Sequence, residues 1–580
     1  MSMVNIVING IDLQVPKGTT VLDAAKQVGV HIPTLCHLDL HDFGVVNKVA
    51  SCRVCVVEVQ GRAALAPSCA EMVYEGMVVN TDSLKAINAR RNNLELLLSN
   101  HPFDCLVCTK NLDCELQALA EELNIREIHA VGEKMDYPID KSSNAIVKDP
   151  NKCVMCRRCE TMCNEVQTVG VLSGLNRGFG AVVAPAFNLD MAETSCTYCG
   201  QCVAVCPTAA LTERIDLPKV WRALSREREH VVVQVAPAVR VAIGEMFGME
   251  PGTISTGKLV TALKRLGFNA VFDTNFGADL TIMEEARELA HRLEHGGTLP
   301  MLTSCCPAWV KFFEHQFPEM LDVPSSCKSP QTMLGAIAKS YYAEKMNLDV
   351  KNLKVVSIMP CVAKKAESAR PELSKEHELN VDFVLSTREF GHMIKEAGID
   401  FAKLPDTEFD SILGESTGAA AIFGTTGGVI EAATRTAYEL LTGENLEKID
   451  FEDLRGLEGI REASVKVGDI DLKIGIAHGL GNARKLLESI QKGEAFYHAI
   501  EIMACPGGCI GGGGQPYHHG DQEIIKKRQK AIYEIDKNTP RRKSHENEMV
   551  LKLYEEYLGE PYGKKAHDLL HTCYTPGEKI

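Results

Sequence analysis

The sequence predicts a multidomain fold, α+β in its first part and α/β in its second, and three observations carry that expectation. The chain has 580 residues, several times the roughly 100–200 of a single domain. Its 22 cysteines are bunched, and all but Cys327 and Cys573 fall in spaced groups. From about residue 216 onward, apolar strand-like runs alternate with amphipathic helical ones, the α/β pattern. The implied units are 1–80, 81–140, 141–215 and 216–580, the last large enough for two α/β lobes around a buried site.

Composition narrows the function classes. Hydrophobic residues make up 45%, ordinary for globular protein, and a net charge of −15 weighs against a non-specific nucleic-acid partner. The opening MSMVNIVINGIDLQV has no basic flank and alternates like a strand, so no signal peptide is expected. No apolar run reaches the ~18 residues of a membrane span. A cytoplasmic protein without a membrane partner is expected. In such a chain, cysteines point to metal rather than disulfides.

The first unit opens with a hairpin. Val4, Ile6 and Ile8 alternate, Asn9-Gly10 turns, and Ile11, Leu13 and Val15 alternate back. Thr19 or Thr20 caps a short helix carrying Val21, Leu22, Ala25 and Val28. Cys36, Cys52, Cys55 and Cys69 follow as C-x15-C-x2-C-x13-C. Four thiolates suit an iron–sulfur cluster or zinc, and the first spacing is much wider than in plant-type ferredoxins. Residues 81–140 read as helical, with Leu84, Ile87, Leu94, Leu97 and Leu98 as the apolar positions. Between helices lie His101, Cys105, Cys108 and Cys114, a set that by itself fits zinc and a 4Fe–4S cluster equally well.

Residues 141–215 carry a more specific signal. Cys153, Cys156, Cys159 and Cys163, then Cys196, Cys199, Cys202 and Cys206-Pro207, follow the two-cluster bacterial ferredoxin run, in which the fourth cysteine serves the other cluster. Cys153, Cys156, Cys159 and Cys206 should hold one 4Fe–4S cluster, and Cys196, Cys199, Cys202 and Cys163 its partner. The first run ends Cys163-Asn164 rather than Cys-Pro, which leaves the ligands intact.

In the last unit strands are expected at 231–236, 270–273, 300–303, 355–359, 383–385, 474–477 and 499–503. Three of these end on cysteine, at Cys305-Cys306, Cys361 and Cys505 with Cys509. In open α/β sheets ligands bind outside the carboxyl ends of strands, so Cys306, Cys361, Cys505 and Cys509 can meet at one rim as four thiolates. The glycines after Cys509 let the backbone approach something bulky. The segment 281–292 is helical, with Glu285, Glu288 and Arg292 on one stripe and Ile282, Ala286 and Leu289 on another. Read alone, the charged stripe is a solvated face. The cluster Arg541-Arg542-Lys543 reads as a surface or packing feature before a helical tail, and Cys327 and Cys573 as inert thiols.

TSCCPAW (Thr303–Trp309), MPCVAKKAE (Met359–Glu367) and EIMACPGGCIGGGGQP (Glu501–Pro516) resemble, in order and separation, the three signatures of iron–iron (FeFe) hydrogenases. The upstream groups resemble the accessory clusters of the longer members. The resemblance implies a β-grasp 2Fe–2S domain and a two-cluster ferredoxin-like domain. Between them it implies a small helical 4Fe–4S domain with one histidine and three cysteine ligands, as in the large complex I iron–sulfur subunit. The last unit becomes an H-cluster domain. In the H-cluster a 4Fe–4S cubane joins through Cys509 to a two-iron subsite with CO, CN and an azadithiolate. Three further 4Fe–4S clusters and one 2Fe–2S are implied beside it. Lys364 resembles the lysine serving one cyanide, with Lys365 structural, and Pro237-Ala238 the backbone donor site for the other. Ala238 stands where some members carry serine. Met359, Phe423 and Met503 would form an apolar wall. Cys305, Glu285, Ser325, Glu288 and Arg292 match the family's proton relay. The implied reaction is 2H⁺ + 2e⁻ ⇌ H₂, with ferredoxin or flavin- and NAD(P)-binding subunits as electron partners. A non-catalytic electron-transfer subunit, an H₂ sensor and an iron–sulfur assembly factor are the competing readings; Cys305 weighs against the sensor.

Overall fold

Asn9 and Gly10 both take positive φ, 49° and 81°, so β1 (Met3–Ile8) and β2 (Ile11–Pro16) join through the turn whose twist matches a two-residue hairpin. The computed structural model describes residues 2–45, 47–375, 378–446, 448–468 and 470–577. Thr20, not Thr19, caps α1 (Val21–Gln27), its side chain accepting from the Asp23 amide. With β3 (Val56–Val59), β4 (Ala66–Pro67) and β5 (Met77–Asn80) the hairpin makes a five-stranded sheet ordered β2-β1-β5-β3-β4.

Helix α2 (Leu84–Asn100) departs from the expected apolar stripe. Leu94 is buried, but Leu84 is 78% exposed and Ile87 lies open. The helix instead docks through Ala86, Leu94 and Arg90, whose Nε donates to the Val56 carbonyl at 2.9 Å. Helix α3 (Glu115–Glu122) starts directly after Cys114. The next unit pairs β6 (Ile146–Lys148) with β9 (Leu211–Glu213), and β7 (Ser173–Leu175) with β8 (Val182–Ala184), all antiparallel. Short helices α4 (Arg158–Thr161) and α5 (Gln201–Val205) follow the CxxC turns.

The large part holds two sheets. Strands β10 (His230–Val235), β11 (Ala270–Asp273), β13 (Leu353–Met359) and β16 (Phe383–Ser386) form a parallel sheet ordered β11-β10-β13-β16. Strands β12 (Met301–Leu302), β17 (Ile460–Val467), β18 (Ile470–His478) and β19 (Ala499–Met503) form the second, ordered β12-β19-β18-β17, parallel except for the β17–β18 hairpin. A short hairpin, β14 (Ser374–Lys375) and β15 (Glu378–Leu379), lies between β13 and β16. Every expected strand forms, those at 270–273 and 499–503 with the expected bounds and the others with shifted ends. Strand β17 was not expected, although Ala463, Val465 and Val467 alternate there with Glu462, Ser464 and Lys466.

Helices α6 (Leu217–Leu224) and α7 (Thr256–Arg265) flank the first sheet, and α8 (Thr274–His295) leaves β11 directly, capped by Asp273. The charged stripe of α8 is not the solvated face that its periodicity alone suggests. Glu284, Glu285 and Glu288 are all buried, because α8 runs between the sheets against α10 (Pro330–Ile337) and the helix Gly428–Thr442. The Arg541–Lys543 cluster is a packing feature. Arg542 pairs with Asp450 and Asp536, and Lys543 with Glu439.

The glycine run after Cys509 meets backbone. A Cβ on Gly513 would lie 2.6 Å from the Gly200 carbonyl oxygen, and one on Gly200, whose φ is +73°, would lie 2.8 Å from Val362. The loop therefore presses onto the turn between Cys199 and Cys202. Arg388 clamps the joint, pairing with Glu213 at 2.7 Å and donating to the Gly513 carbonyl at 2.7 Å. Gln201 adds a bond to the Gly511 carbonyl at 3.1 Å. Among the described residues, no helix is long and apolar enough to cross a membrane.

Gly513→Ala should force this joint apart. The expected cost is about 1–3 kcal/mol from overpacking, read as a lower thermal midpoint. An unchanged midpoint would show that the contact has room for the added methyl group.

Candidate functional site

The carboxyl ends of β10, β12, β13 and β19 converge on an apolar cavity of about 70 Å³. Cys306, Cys361, Cys505 and Cys509 face it together with Cys305 and Lys364. Pro237, Ala238, Met359, Phe423 and Met503 complete the expected wall. Local sequence explains each placement. Pro237 starts a 3-10 turn where β10 stops, and Pro307 starts α9 (Pro307–Gln316) right after Cys306. The Gly507-Gly508 pair, with φ of +76° and +93°, turns the chain between Cys505 and Cys509.

The four thiols stand in mutual electrostatic contact. Burial raises the Cys361 thiol, and Cys306 and Cys509 raise it further. Burial and Cys306 push Cys509 up to about 12. The Cys306 sulfur accepts from the Ala504 amide at 3.4 Å. Four soft donors in a cavity whose walls hold no carboxylate fit an iron–sulfur cluster, whose metal would take the thiolate charge that burial opposes.

Lys364 is held as a cation. Burial alone would lower its pKa, but Glu367, with its carboxylate 2.8 Å from Nζ, reverses the shift. Its Nζ also donates to the Cys305 carbonyl at 3.1 Å. Lys365 turns away to Glu389 at 2.7 Å and Asp216 at 3.3 Å. Gln331, on α10, carries no signature in the sequence, yet it lines the cavity and donates to Glu367 at 3.0 Å. Its Oε1 is buried without a protein partner, a polar atom left for a cavity occupant. The only hint was its place after Ser329-Pro330 at a helix start.

The expected relay residues also come together. Cys305 is buried, its thiol raised well above the ordinary range by burial and then by Glu285. Burial, then the neighbouring Glu288, pushes Glu285 up to about 7. Ser304 Oγ approaches Glu285 Oε1 at 3.4 Å, and Ser325 Oγ donates to Glu288 Oε2 at 3.1 Å. Arg292 Nη2 meets Glu288 Oε1 at 2.6 Å, and the guanidinium also donates to the Val323 and Pro324 carbonyls. Cys327, expected to be inert, lies buried 3.9 Å from Glu288 Oε2.

The accessory cysteines of the first and third units lie in groups. Cys36, Cys52, Cys55 and Cys69 are buried under the five-stranded sheet, with 3.3 Å between the Cys55 and Cys69 sulfurs. Cys159 interacts with Cys156, Cys206 and Cys153, and Cys202 with Cys199, Cys196 and Cys163, which is the crossed arrangement. His101 ends α2, and burial lowers its pKa to about 4, so the imidazole is in its neutral, metal-binding form. Cys105, Cys108 and Cys114 follow it before α3.

Fold and site together define a multi-cluster iron–sulfur oxidoreductase with a buried cysteine-walled reaction cavity. Residues 229–513 match the family profile described as the iron only hydrogenase large subunit, C-terminal domain, and 522–577 that of the iron hydrogenase small subunit. Residues 1–83 match a 2Fe-2S iron-sulfur cluster binding domain, 90–129 the NADH-ubiquinone oxidoreductase-G iron-sulfur binding region, and 192–212 a 4Fe-4S binding domain. The chain is 60% identical to the NADP-reducing hydrogenase subunit HndD of Solidesulfovibrio fructosivorans, over 100% of both chains. It is 40% identical to iron hydrogenase 1 of Clostridium pasteurianum, over 99% of this chain and 100% of that one. A solved FeFe-hydrogenase HydA1 from Chlamydomonas reinhardtii superposes with a TM-score of 0.57 at 44% identity, covering 63% of this chain and 99% of that one. The chain belongs to the iron-only (FeFe) hydrogenase family and is an oxidoreductase acting on hydrogen. The cytosolic Fe-S cluster assembly factor narfl of Xenopus tropicalis is also similar, at 31% identity over 66% of this chain. The small-subunit match gives the C-terminal region an identity that its helical pattern did not convey.

Two outcomes test Glu285. Glu285→Gln should cut hydrogen evolution by about 10² or more, the range for losing a positioned acid–base group. In the wild-type protein the raised pKa means that the folded state holds this proton more tightly than the unfolded chain. Its stability should therefore fall as pH rises from about 4.5 toward about 7. The wild-type thermal midpoint should fall relative to that of Glu285→Gln over that window, and a constant difference would contradict the shift.

Proposed function

We propose that this chain is the hydrogen-activating subunit of an NAD(P)-linked assembly, interconverting H₂ with protons and electrons at the cavity between its two sheets. The observation that carries the reading is the meeting, in one cavity, of cysteines from all three signature segments beside a buried acid–base series. Cys306, Cys361, Cys505 and Cys509 would hold the 4Fe–4S part of an H-cluster. When bound, the H-cluster supplies an open iron at which the H–H bond is formed or broken heterolytically.

The chain's own residues then have defined tasks. Met359, Phe423 and Met503 exclude water. Lys364, fixed by Glu367 and the Cys305 carbonyl, presents a cation to anionic ligands of the group, and the turn at Pro237-Ala238 faces the same cavity. Cys305 exchanges the proton with Glu285. Ser325 and Glu288 carry it toward the outer end of α8, where Arg292 holds Glu288 in place. A neutral Glu285 is what such a series needs, since an isolated buried carboxylate is costly. Electrons would cross at the Gly200–Gly513 contact between the cluster at Cys196, Cys199, Cys202 and Cys163 and the cavity. The remaining groups, one 2Fe–2S and two 4Fe–4S, would extend this wire to the partner.

The partner reading rests on similarity. HndD is named as a subunit of an NADP-reducing hydrogenase, and it matches this chain end to end. We place flavin- and NAD(P)-binding subunits as the electron partners in the cytoplasm, with ferredoxin as the second carrier.

Cys305→Ser should lower hydrogen evolution by about 10²–10⁴ while the electron paramagnetic resonance of the clusters survives, because the residue is not a ligand in this reading. Full activity in Cys305→Ala would remove it from the route. Anaerobically matured protein should contain about 20 iron atoms per chain if all the proposed clusters assemble. Zinc at the His101 group, with the spectrum unchanged in His101→Cys, would correct that part. Deleting residues 1–140 should spare evolution from a small reductant and impair coupling to a copurified flavin subunit; unimpaired coupling would place electron entry nearer the ferredoxin-like pair.

A further inference from the structure

Beside the acid–base series lies a second set of donors. Glu288, Cys327 and His571 each offer one ligand atom, and these atoms lie within 4.8 Å of one another with all three residues buried. Cys327 Sγ is 3.9 Å from Glu288 Oε2 and 4.0 Å from His571 Nδ1. Around a tetrahedral zinc ion, with metal–ligand bonds of about 2.0–2.3 Å, ligand atoms sit about 3.3–3.8 Å apart. Small side-chain shifts therefore suffice.

The backbone fixes this geometry. Cys327 and His571 form a β-bridge, and the Lys328 and Thr572 amides bond across it at 2.8 and 2.7 Å. His571 is oriented from behind, with Nε2 2.9 Å from Glu284 Oε2. A carboxylate accepting from one imidazole nitrogen leaves the other as a ligand, the arrangement that supports metal-bound histidines. Glu284 is itself held by the Tyr554 hydroxyl and the Tyr562 amide. Charge leaves room for a cation, because Glu284 and Glu288 are buried close to Cys327, and Arg292 pairs with Glu288 through Oε1 while Oε2 accepts from Ser325 and Ser326. Cys327 also lines a cavity of about 30 Å³ shared with the exposed Cys573, which gives a way in.

We propose that Glu288, Cys327 and His571 form a binding site for a soft divalent cation of the zinc type, and that its occupation blocks proton transfer to the reaction cavity. Thiolate, imidazole and carboxylate together select zinc over magnesium or calcium. On binding, the Cys327 thiol releases its proton to solvent, and Glu288 Oε2 gives up its bonds from Ser325 and Ser326 for the metal. Ser326 Oγ, 3.1 Å from Glu288 Oε2 and 2.8 Å from His571 Nδ1, or a water fills the fourth position. The binding stands on these residues alone; the effect on rate rests on the proposed relay through Glu288.

The test uses the full chain with its clusters, treated with zinc chloride and freed of excess metal. Zinc and iron content, zinc X-ray absorption and hydrogen evolution are measured on one sample. The expected result is one tightly held zinc with a single sulfur neighbour at about 2.3 Å, unchanged iron, and evolution suppressed until a chelator removes the metal. Cys327→Ala should evolve hydrogen normally without zinc, lose the sulfur neighbour and need about tenfold more zinc, or beyond, for the same inhibition. Cys327→Ser, which keeps the size, guards against a folding defect in the alanine variant. Equal zinc sensitivity in all three proteins would overturn the site, as would zinc uptake matched by iron loss. Zinc bound through Cys327 with evolution undiminished would overturn the blockade and the relay reading together.

Discussion

Burial of sulfur is the constraint on which the rest of the molecule depends. Thiols meeting in an apolar cavity resist ionising, and burial raises Cys305, Cys306, Cys361, Cys505 and Cys509 alike. Only a metal cluster that takes their charge makes four of them compatible as thiolates. To bring them together, two sheets must point their carboxyl ends at one place, and each strand must stop within a few residues of its cysteine. Pro307 and the Gly507-Gly508 pair enforce those stops. The Arg388–Glu213 pair, buried and charge-assisted, then holds the glycine loop against the ferredoxin-like part, and Glu213 drops to about 2 beside Arg388 despite its burial.

The acid–base side obeys the opposite logic. Helix α8 carries three buried glutamates, and each is stabilised differently. Glu288 is paired with Arg292, Glu284 is held by His571 and two tyrosines, and Glu285 has hydroxyls and no cation. Environment thus sets chemically identical side chains apart: one paired with a cation, one anchored by an imidazole and two tyrosines, and one raised to about 7 by burial and its neighbour. A pairing cation at Glu285 would work against the burial that raises its pKa.

Much of this was legible because metal ligands leave dense local marks. CxxC spacings, cysteines at strand ends and a glycine run are short-range signals, and the strand-end cysteines line one cavity. The misses share a cause. Leu84 and Ile87 look like core on a helical wheel, but α2 docks through Ala86, Arg90 and Leu94. The stripe Glu285, Glu288, Arg292 joined the relay only through the family resemblance, since by periodicity it suits a solvated face and its neighbours come from residues 302–327, 430–437 and 554–574. Gln331, Cys327 and His571 are functional candidates only through contacts across the fold, with no periodicity or motif to announce them.

The C-terminal region holds a final consequence. Residues 522–577 match a small-subunit profile, and they carry His571 and Tyr574, which reach Ser326 and the Ser325 carbonyl. Where the equivalent of this segment is a separate polypeptide, its docking depends on concentration. Here it is tethered, and a covalent linker supplies an effective concentration in the millimolar range. The surroundings of Glu288 therefore assemble as a first-order event, independent of dilution and of any mismatch in the supply of two chains.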